Sequence, residues 1–144
     1  DEATTRKLIT DPYEQFNVEY PQEVVDEIWR QTQGHPALVQ QICYELVQRA
    51  NLDLRNQMEM PDLEAVMERI LESSNQVCLV FWNQFCRLQG LKDTVRRLAH
   101  NTEFTGEENL KPLLDYGFVQ QKGNHVEFRV PIFKEWLRRH TESF

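Results

Sequence analysis

The chain lacks the residue patterns that announce catalysis. Its only serines are Ser73, Ser74 and Ser143, and none stands in a nucleophile elbow. There is no Gly-x-x-x-x-Gly-Lys-Ser/Thr loop, so nothing in these residues cradles a triphosphate unaided. His-Glu-x-x-His and clustered Cys/His ligand spacings are absent too, which excludes the common zinc centres. Cysteine is scarce and odd in number: Cys43, Cys78 and Cys86, with no Cys-x-x-Cys. Each falls among apolar residues at helical spacing and reads as a buried free thiol, which places the chain in a reducing cytoplasm. No apolar run approaches the ~20 residues needed to cross a bilayer, and no signal-peptide pattern opens the chain. The first residue is Asp1 rather than Met, so a piece of a longer protein is expected.

What is present describes a soluble helical protein. Hydrophobic residues make up 40% and charged residues 27% of 144, outside the range of disordered chains. The net charge of −7 is unevenly spread. Residues 1–75 carry six Lys/Arg against fifteen Asp/Glu, and residues 76–144 carry ten against eight. An acidic front and a nearly neutral back point to two units with different partners. The acidic residues fall on faces turned away from the apolar stripes and read as solvated surface, not as paired acid and base.

Proline and glycine punctuate the pattern. Pro21, Pro36, Pro61 and Pro131 each stand directly before a helical stripe, at the first turn, where a missing N–H costs nothing. The stripe after Pro21 is Val24, Val25, Ile28, Trp29 and Thr32, with Gly34 as its left-handed stop. After Pro36 come Leu38, Val39, Ile42, Cys43, Leu46, Val47 and Ala50, and after Pro61 come Leu63, Val66, Met67, Ile70 and Leu71. These predict a small three-helix bundle. The first twenty residues read as an ordered approach segment, with Leu8, Ile9, Tyr13, Phe16 and Tyr20 available to pack on it.

Ser73-Ser74-Asn75 marks the expected boundary between domains 1–75 and 76–144. The second unit opens with an apolar helix from Val77 to Leu88, ended by Gly90. A helix over Leu91–His100 follows, then a capping box at Thr105–Glu108 opening a third helix that stops at Gly117. From there the period changes to two. Phe118–Gln121 and Val126–Val130 flank a three- to four-residue turn, Lys122–His125. Pro131 opens a last helix with Ile132, Phe133, Trp136 and Leu137 inward and Arg138, Arg139 and His140 at its end. The order is that of a winged helix-turn-helix, so the expected fold is mainly α with one β-hairpin.

Two features bear on function. The third helix of the second unit shows Glu107, Glu108 and Asp115 against Lys111, which repels phosphates and disfavours duplex binding. Arg96, Arg97, Arg138 and Arg139 are left as a basic patch elsewhere, and a DNA-binding regulator stays as one alternative. The other feature is the tight junction Gly34-His35-Pro36. Helix-capping chemistry alone explains its glycine and proline, and a plain helical scaffold is the second alternative. The same geometry places unpaired N–H groups, an apolar ring and an imidazole that can become cationic side by side, a seat for an adenine edge or a phosphate.

The stretch from Leu8 to Asn51, "LITDPYEQFNVEYPQEVVDEIWRQTQGHPALVQQICYELVQRAN", resembles the helical lid that follows the P-loop core in STAND ATPases, relatives of the AAA+ proteins. The likeness is to their archaeal and bacterial branch. "FRVPIFKEWLRRH", Phe128 to His140, is similar to the end of the winged helix after that lid. The resemblance implies a lid over 1–75 and a winged helix over 76–144. It implies that Pro36 packs on the adenine of ATP or ADP, that Gly34 allows its close approach, and that His35 sits near base, ribose or phosphates. Ile9 to Pro12 would form the hinge-side approach. The nucleotide, with Mg2+, would belong to an upstream P-loop core absent from these residues, so no catalytic residue and no cofactor of the chain's own are expected. Where many AAA+ lids carry a sensor arginine, Ala37 and Leu38 stand, as in STAND lids. The winged helix's histidine motif is missing, His125 in the wing turn being its nearest substitute. The expected role is a cytoplasmic molecular switch in signal transduction, relaying nucleotide state to an effector protein, with oligomerisation open to the parent.

Overall fold

The structure, a computed structural model, describes residues 1–10, 18–72, 74–87, 114–115, 119–123 and 125–140. Among these the chain forms six helices and one antiparallel hairpin. It divides into two compact units, 1–72 and 73–144.

The first unit contains α1 (Glu2–Thr10), α2 (Gln22–Thr32), α3 (Pro36–Asp53) and α4 (Met60–Ile70). The α1 helix was not foreseen. Asp1 starts it, its carboxylate accepting the Thr4 N–H at 2.7 Å, and Glu2 holds Arg6 one turn on at 2.8 Å. Thr5 and Ile9, four apart, form its buried edge, while Leu8, expected to pack, is 47% exposed. Tyr13 and Phe16 lie outside the described residues. Pro21 sits one position earlier than expected, as the N-cap of α2, and Pro36 is the first residue of α3.

The periodicity of α3 carries through without exception. Leu38, Val39, Ile42, Cys43, Leu46, Val47 and Ala50 are all buried. Leu63, Val66 and Ile70 of α4 pack against this face, α2 lies against both helices, and α1 lies across α2 and α3. Met58 is fully buried, and its N–H bonds to the Glu19 carbonyl in a short bridge of the 18–20 segment to the chain before α4.

One acidic side chain departs from the surface reading. Asp62 is 4% exposed, and its carboxylate accepts from Arg49 Nε at 2.8 Å and from both terminal nitrogens of Arg55. It also accepts the Glu59 N–H at 2.9 Å, closing the first turn of α4. The end of α3, the loop after it and the start of α4 therefore converge on one carboxylate. With three charge-assisted bonding partners, chiefly Arg55, its pKa lies well below the usual carboxylate range.

In the second unit, α5 (Gln76–Arg87) begins at Asn75, whose side chain accepts the Cys78 N–H at 3.0 Å. Asn75 thus belongs with the second unit. Cys78 is buried, and desolvation pushes its thiol up to about 12, so it is inert packing. The hairpin pairs β1 (Val119–Lys122) with β2 (His125–Phe128), with Val119 opposite Phe128 and Lys122 opposite His125. Its loop is two residues, tighter than the turn read from sequence, because Lys122 and His125 are themselves paired. Gly123 takes φ +58°, as a two-residue hairpin turn requires. His125 is consequently a strand residue. The last helix, here α6 (Pro131–His140), buries the four expected residues Ile132, Phe133, Trp136 and Leu137. Phe133 meets Phe81 and Phe128 edge-on and stacks on Trp136, with ring centres 5.6, 6.3 and 6.2 Å away. Leu114 and Asp115 are helical. The helix over Leu91–His100 and the capping box at Thr105–Glu108 lie outside the described residues, as do Gly90 and Gly117.

Replacing Asp62 by Asn keeps its shape but removes the charge that both arginines bond. Asp62→Asn is expected to lower unfolding stability by about 1–2 kcal/mol at neutral pH in a urea titration. Because the folded pKa is depressed, this contribution is present above the unfolded value of about 4 and is lost as pH falls below it. The gap between wild type and variant should therefore narrow steadily from about pH 4 downward.

Candidate functional site

The three residues singled out from sequence lie where α2 turns into α3. Helix α2 ends with two successive residues of positive φ, Gln33 at 49° and Gly34 at 80°. The left-handed stop is therefore shared, with Gln33 taking the cap position and its N–H bonding to the Trp29 carbonyl at 2.8 Å. Thr32 is the internal fastener. Its buried hydroxyl donates to the Ile28 carbonyl at 2.8 Å and accepts the Gly34 N–H at 3.2 Å, while its carbonyl accepts the His35 N–H.

Gly34 is needed for more than its dihedral angles. A Cβ built there would lie 2.7 Å from Thr5 Oγ1 of α1 and 2.8 Å from Cζ3 of Trp29 in α2. The open side of the glycine is thus filled by the protein's own residues. The resemblance implied the close approach of a nucleotide at Gly34; Thr5 was not foreseen, its only signal in the sequence being its spacing of four from Ile9.

His35 is the N-cap of α3, in an extended conformation. Its carbonyl accepts the Val39 N–H at 3.0 Å, and its own side chain does not cap the helix. The first N–H groups of an α-helix have no partner within it, and they carry a partial positive charge. The imidazole is half-buried, and desolvation lowers its pKa from the ordinary value near 6.5. Burial thus favours the neutral imidazole, a donor and acceptor pair, over the cationic form it can take. Pro36 is exposed at the first helical position, so its ring faces outward from the turn.

The turn thus has two unlike sides: a glycine side closed by Thr5 and Trp29, and a Pro36 side open to a partner. Against a nucleotide it offers helix N–H groups, an apolar ring and a neutral imidazole. It offers no lysine for the phosphates, and no group of three or more His, Cys, Asp or Glu able to hold a metal ion occurs among the described residues. These groups carry no charge suited to an Mg2+–triphosphate.

Elsewhere, a shallow cavity of about 130 Å3 runs between the later half of α3 and α4, lined by Glu45, Arg49, Leu52 and Arg69 among others. It is smaller than the several hundred Å3 of ordinary ligand sites. The basic end of α6 is partly neutralised, since Arg138 and Arg139 both bond to the single carboxylate of Glu135, at 2.7 and 3.0 Å. These two arginines, chiefly Arg138, hold Glu135 down at about 2. Arg96 and Arg97, the rest of the basic patch expected from sequence, lie outside the described residues. No helix among the described residues is long and apolar enough to cross a membrane. Comparison with protein-family models, curated proteins and solved structures finds no match to this chain.

Gly34→Ala meets two penalties at once, a left-handed backbone and contacts below 3 Å with Trp29 and Thr5. Together these are expected to cost about 2–4 kcal/mol. Urea unfolding of the variant measures the loss. A cost under 0.5 kcal/mol, roughly the noise of surface substitutions, would contradict the packing described for this turn.

Proposed function

We propose that the chain is the lid and winged-helix portion of a STAND-type, AAA+-related ATPase that acts as a molecular switch. In this reading a P-loop core elsewhere in the parent protein binds ATP or ADP with Mg2+, and the Gly34–His35–Pro36 turn closes over the base. The observation that carries it is the start of α3. An exposed proline ring at the first helical position lies beside a half-buried imidazole that burial biases toward its neutral form, at the N-terminus of α3. A neutral imidazole suits the edge of a base or a ribose hydroxyl better than a phosphate. His35 is therefore a base or ribose contact, and Pro36 is the surface on which the ring packs.

The second unit takes the role of a winged helix, with the Val119–Phe128 hairpin as the wing and α6 after it. Its contribution is to pass the lid's position to an effector protein. Such a relay works only if the nucleotide contacts the lid differently in the open and closed states. Contacts at the outward side of Pro36 satisfy that condition, since they exist only when a core closes on the turn. Duplex DNA binding gains no support from α6, where Glu135 already answers both arginines. The hydrolytic chemistry belongs to the core, and this stretch contributes binding and position.

In the parent protein, His35→Ala and Pro36→Ala are each expected to weaken ATP and ADP binding by about two- to tenfold, the worth of one lost contact. Titration calorimetry measures this, and unchanged affinity for both nucleotides in both variants would sink the proposal. The chain by itself should show no thermal shift with ATP.

A further inference from the structure

We propose that Thr32 is the positioning residue of the turn, its buried hydroxyl and its carbonyl together setting the direction in which His35 meets a ligand. The identity of that ligand rests on the nucleotide reading above, whereas the positioning rests on hydrogen bonds within the first unit.

Thr32 is the last residue of α2 and is fully buried. A hydroxyl has one proton and two lone pairs. The proton goes to the Ile28 carbonyl at 2.8 Å, so toward Gly34 the oxygen can only accept, and it takes that N–H at 3.2 Å. One residue on, the Thr32 carbonyl takes the His35 N–H at 3.0 Å. The two peptide groups on either side of Gly34 are thereby tied to a single residue.

The neighbours make those ties matter. Glycine restricts its own dihedral angles less than any other residue, and Pro36 has no N–H to add a bond on the far side. The His35 carbonyl accepts the Val39 N–H, which fixes His35 to α3 but not to α2. Its placement relative to α2 therefore passes through Gly34. Thr5 and Trp29 bound the space beside that glycine, whereas Thr32 bonds its N–H directly. A threonine hydroxyl near a helix end commonly bonds back to the carbonyl four residues before. Here the same oxygen also bonds forward, across the end of the helix, and a valine of equal shape could make neither bond.

Two variants separate the hydroxyl from the shape: Thr32→Val removes it and Thr32→Ser keeps it. Amide hydrogen exchange on the chain is the first readout. In Thr32→Val the Gly34 and His35 amides should exchange about two- to tenfold faster relative to residues 42–50 of α3, the worth of one hydrogen bond. Thr32→Ser should keep the wild-type ratio. Acceleration at Gly34 alone would overturn the proposal, since the bond would then position nothing beyond itself. Equal acceleration through α3 would overturn it too, as a general loss of stability. Nucleotide titration of the parent protein is the second readout. Thr32→Val should weaken ATP and ADP binding by about two- to tenfold, as His35→Ala does, and Thr32→Ser should bind as wild type. In a His35→Ala background Thr32→Val should weaken binding no further, because Thr32 acts through the imidazole. Additive losses, or full affinity in Thr32→Val where His35→Ala is weakened, would contradict that route. If neither His35→Ala nor Pro36→Ala alters binding, the nucleotide reading fails by itself, and the exchange measurement still decides the role of Thr32.

Discussion

The first unit depends on a missing methyl group. At Gly34 the chain reverses between α2 and α3 with two successive left-handed residues, and the space a side chain would take is filled by Thr5 and Trp29. Three helices are fixed by that one absence. α2 cannot end where it does without the positive φ, α3 cannot start at Pro36 unless the reversal is complete, and α1 has no seat if position 34 carries a Cβ. Buried Thr32 completes the joint by bonding backward to Ile28 and forward to Gly34, so no polar group of its hydroxyl is stranded.

At the other end of α3 the constraint is electrostatic. Leu54 adopts φ 53° with its side chain 93% exposed, an unfavourable conformation for a non-glycine residue. It persists because the next residue is pinned: the Arg55 N–H bonds to the Ala50 carbonyl and its guanidinium to Asp62. Arg49 reaches the same carboxylate from inside α3. A helix bounded by a steric joint at one end and a charged joint at the other has little freedom to slide. A contact at Pro36 would therefore move the helix as a whole.

A closed glycine side and an open proline side also narrow the chemistry of the turn. On the Pro36 side it offers an apolar ring, helix N–H groups and an imidazole that burial biases toward its neutral form. These groups lack the charge to hold phosphates or the metal that accompanies them, so a site built on this turn is half of a site.

The sequence by itself determined the helices with long, strongly periodic stripes. The inward faces of α3 and α6 were readable residue for residue, because burial of one face imposes the 3.6 period directly on the order of side chains. The hairpin was readable from its change of period, though not its two-residue loop, since which residues pair is set by cross-strand register. Gly34, His35 and Pro36 were visible as a turn, because glycine and proline act on their own backbone. Only the tertiary structure decided that Thr5 lies over Gly34, that Asp62 is buried while the other described acidic residues of the first half are not, and that burial lowers the pKa of His35. Each of these depends on groups brought together from separate helices. Arg49 lies 13 positions before Asp62, and Thr5 lies 29 before Gly34. No local pattern encodes such meetings, whereas packing does, because the space and the charge at one position are set by whatever the fold places against it.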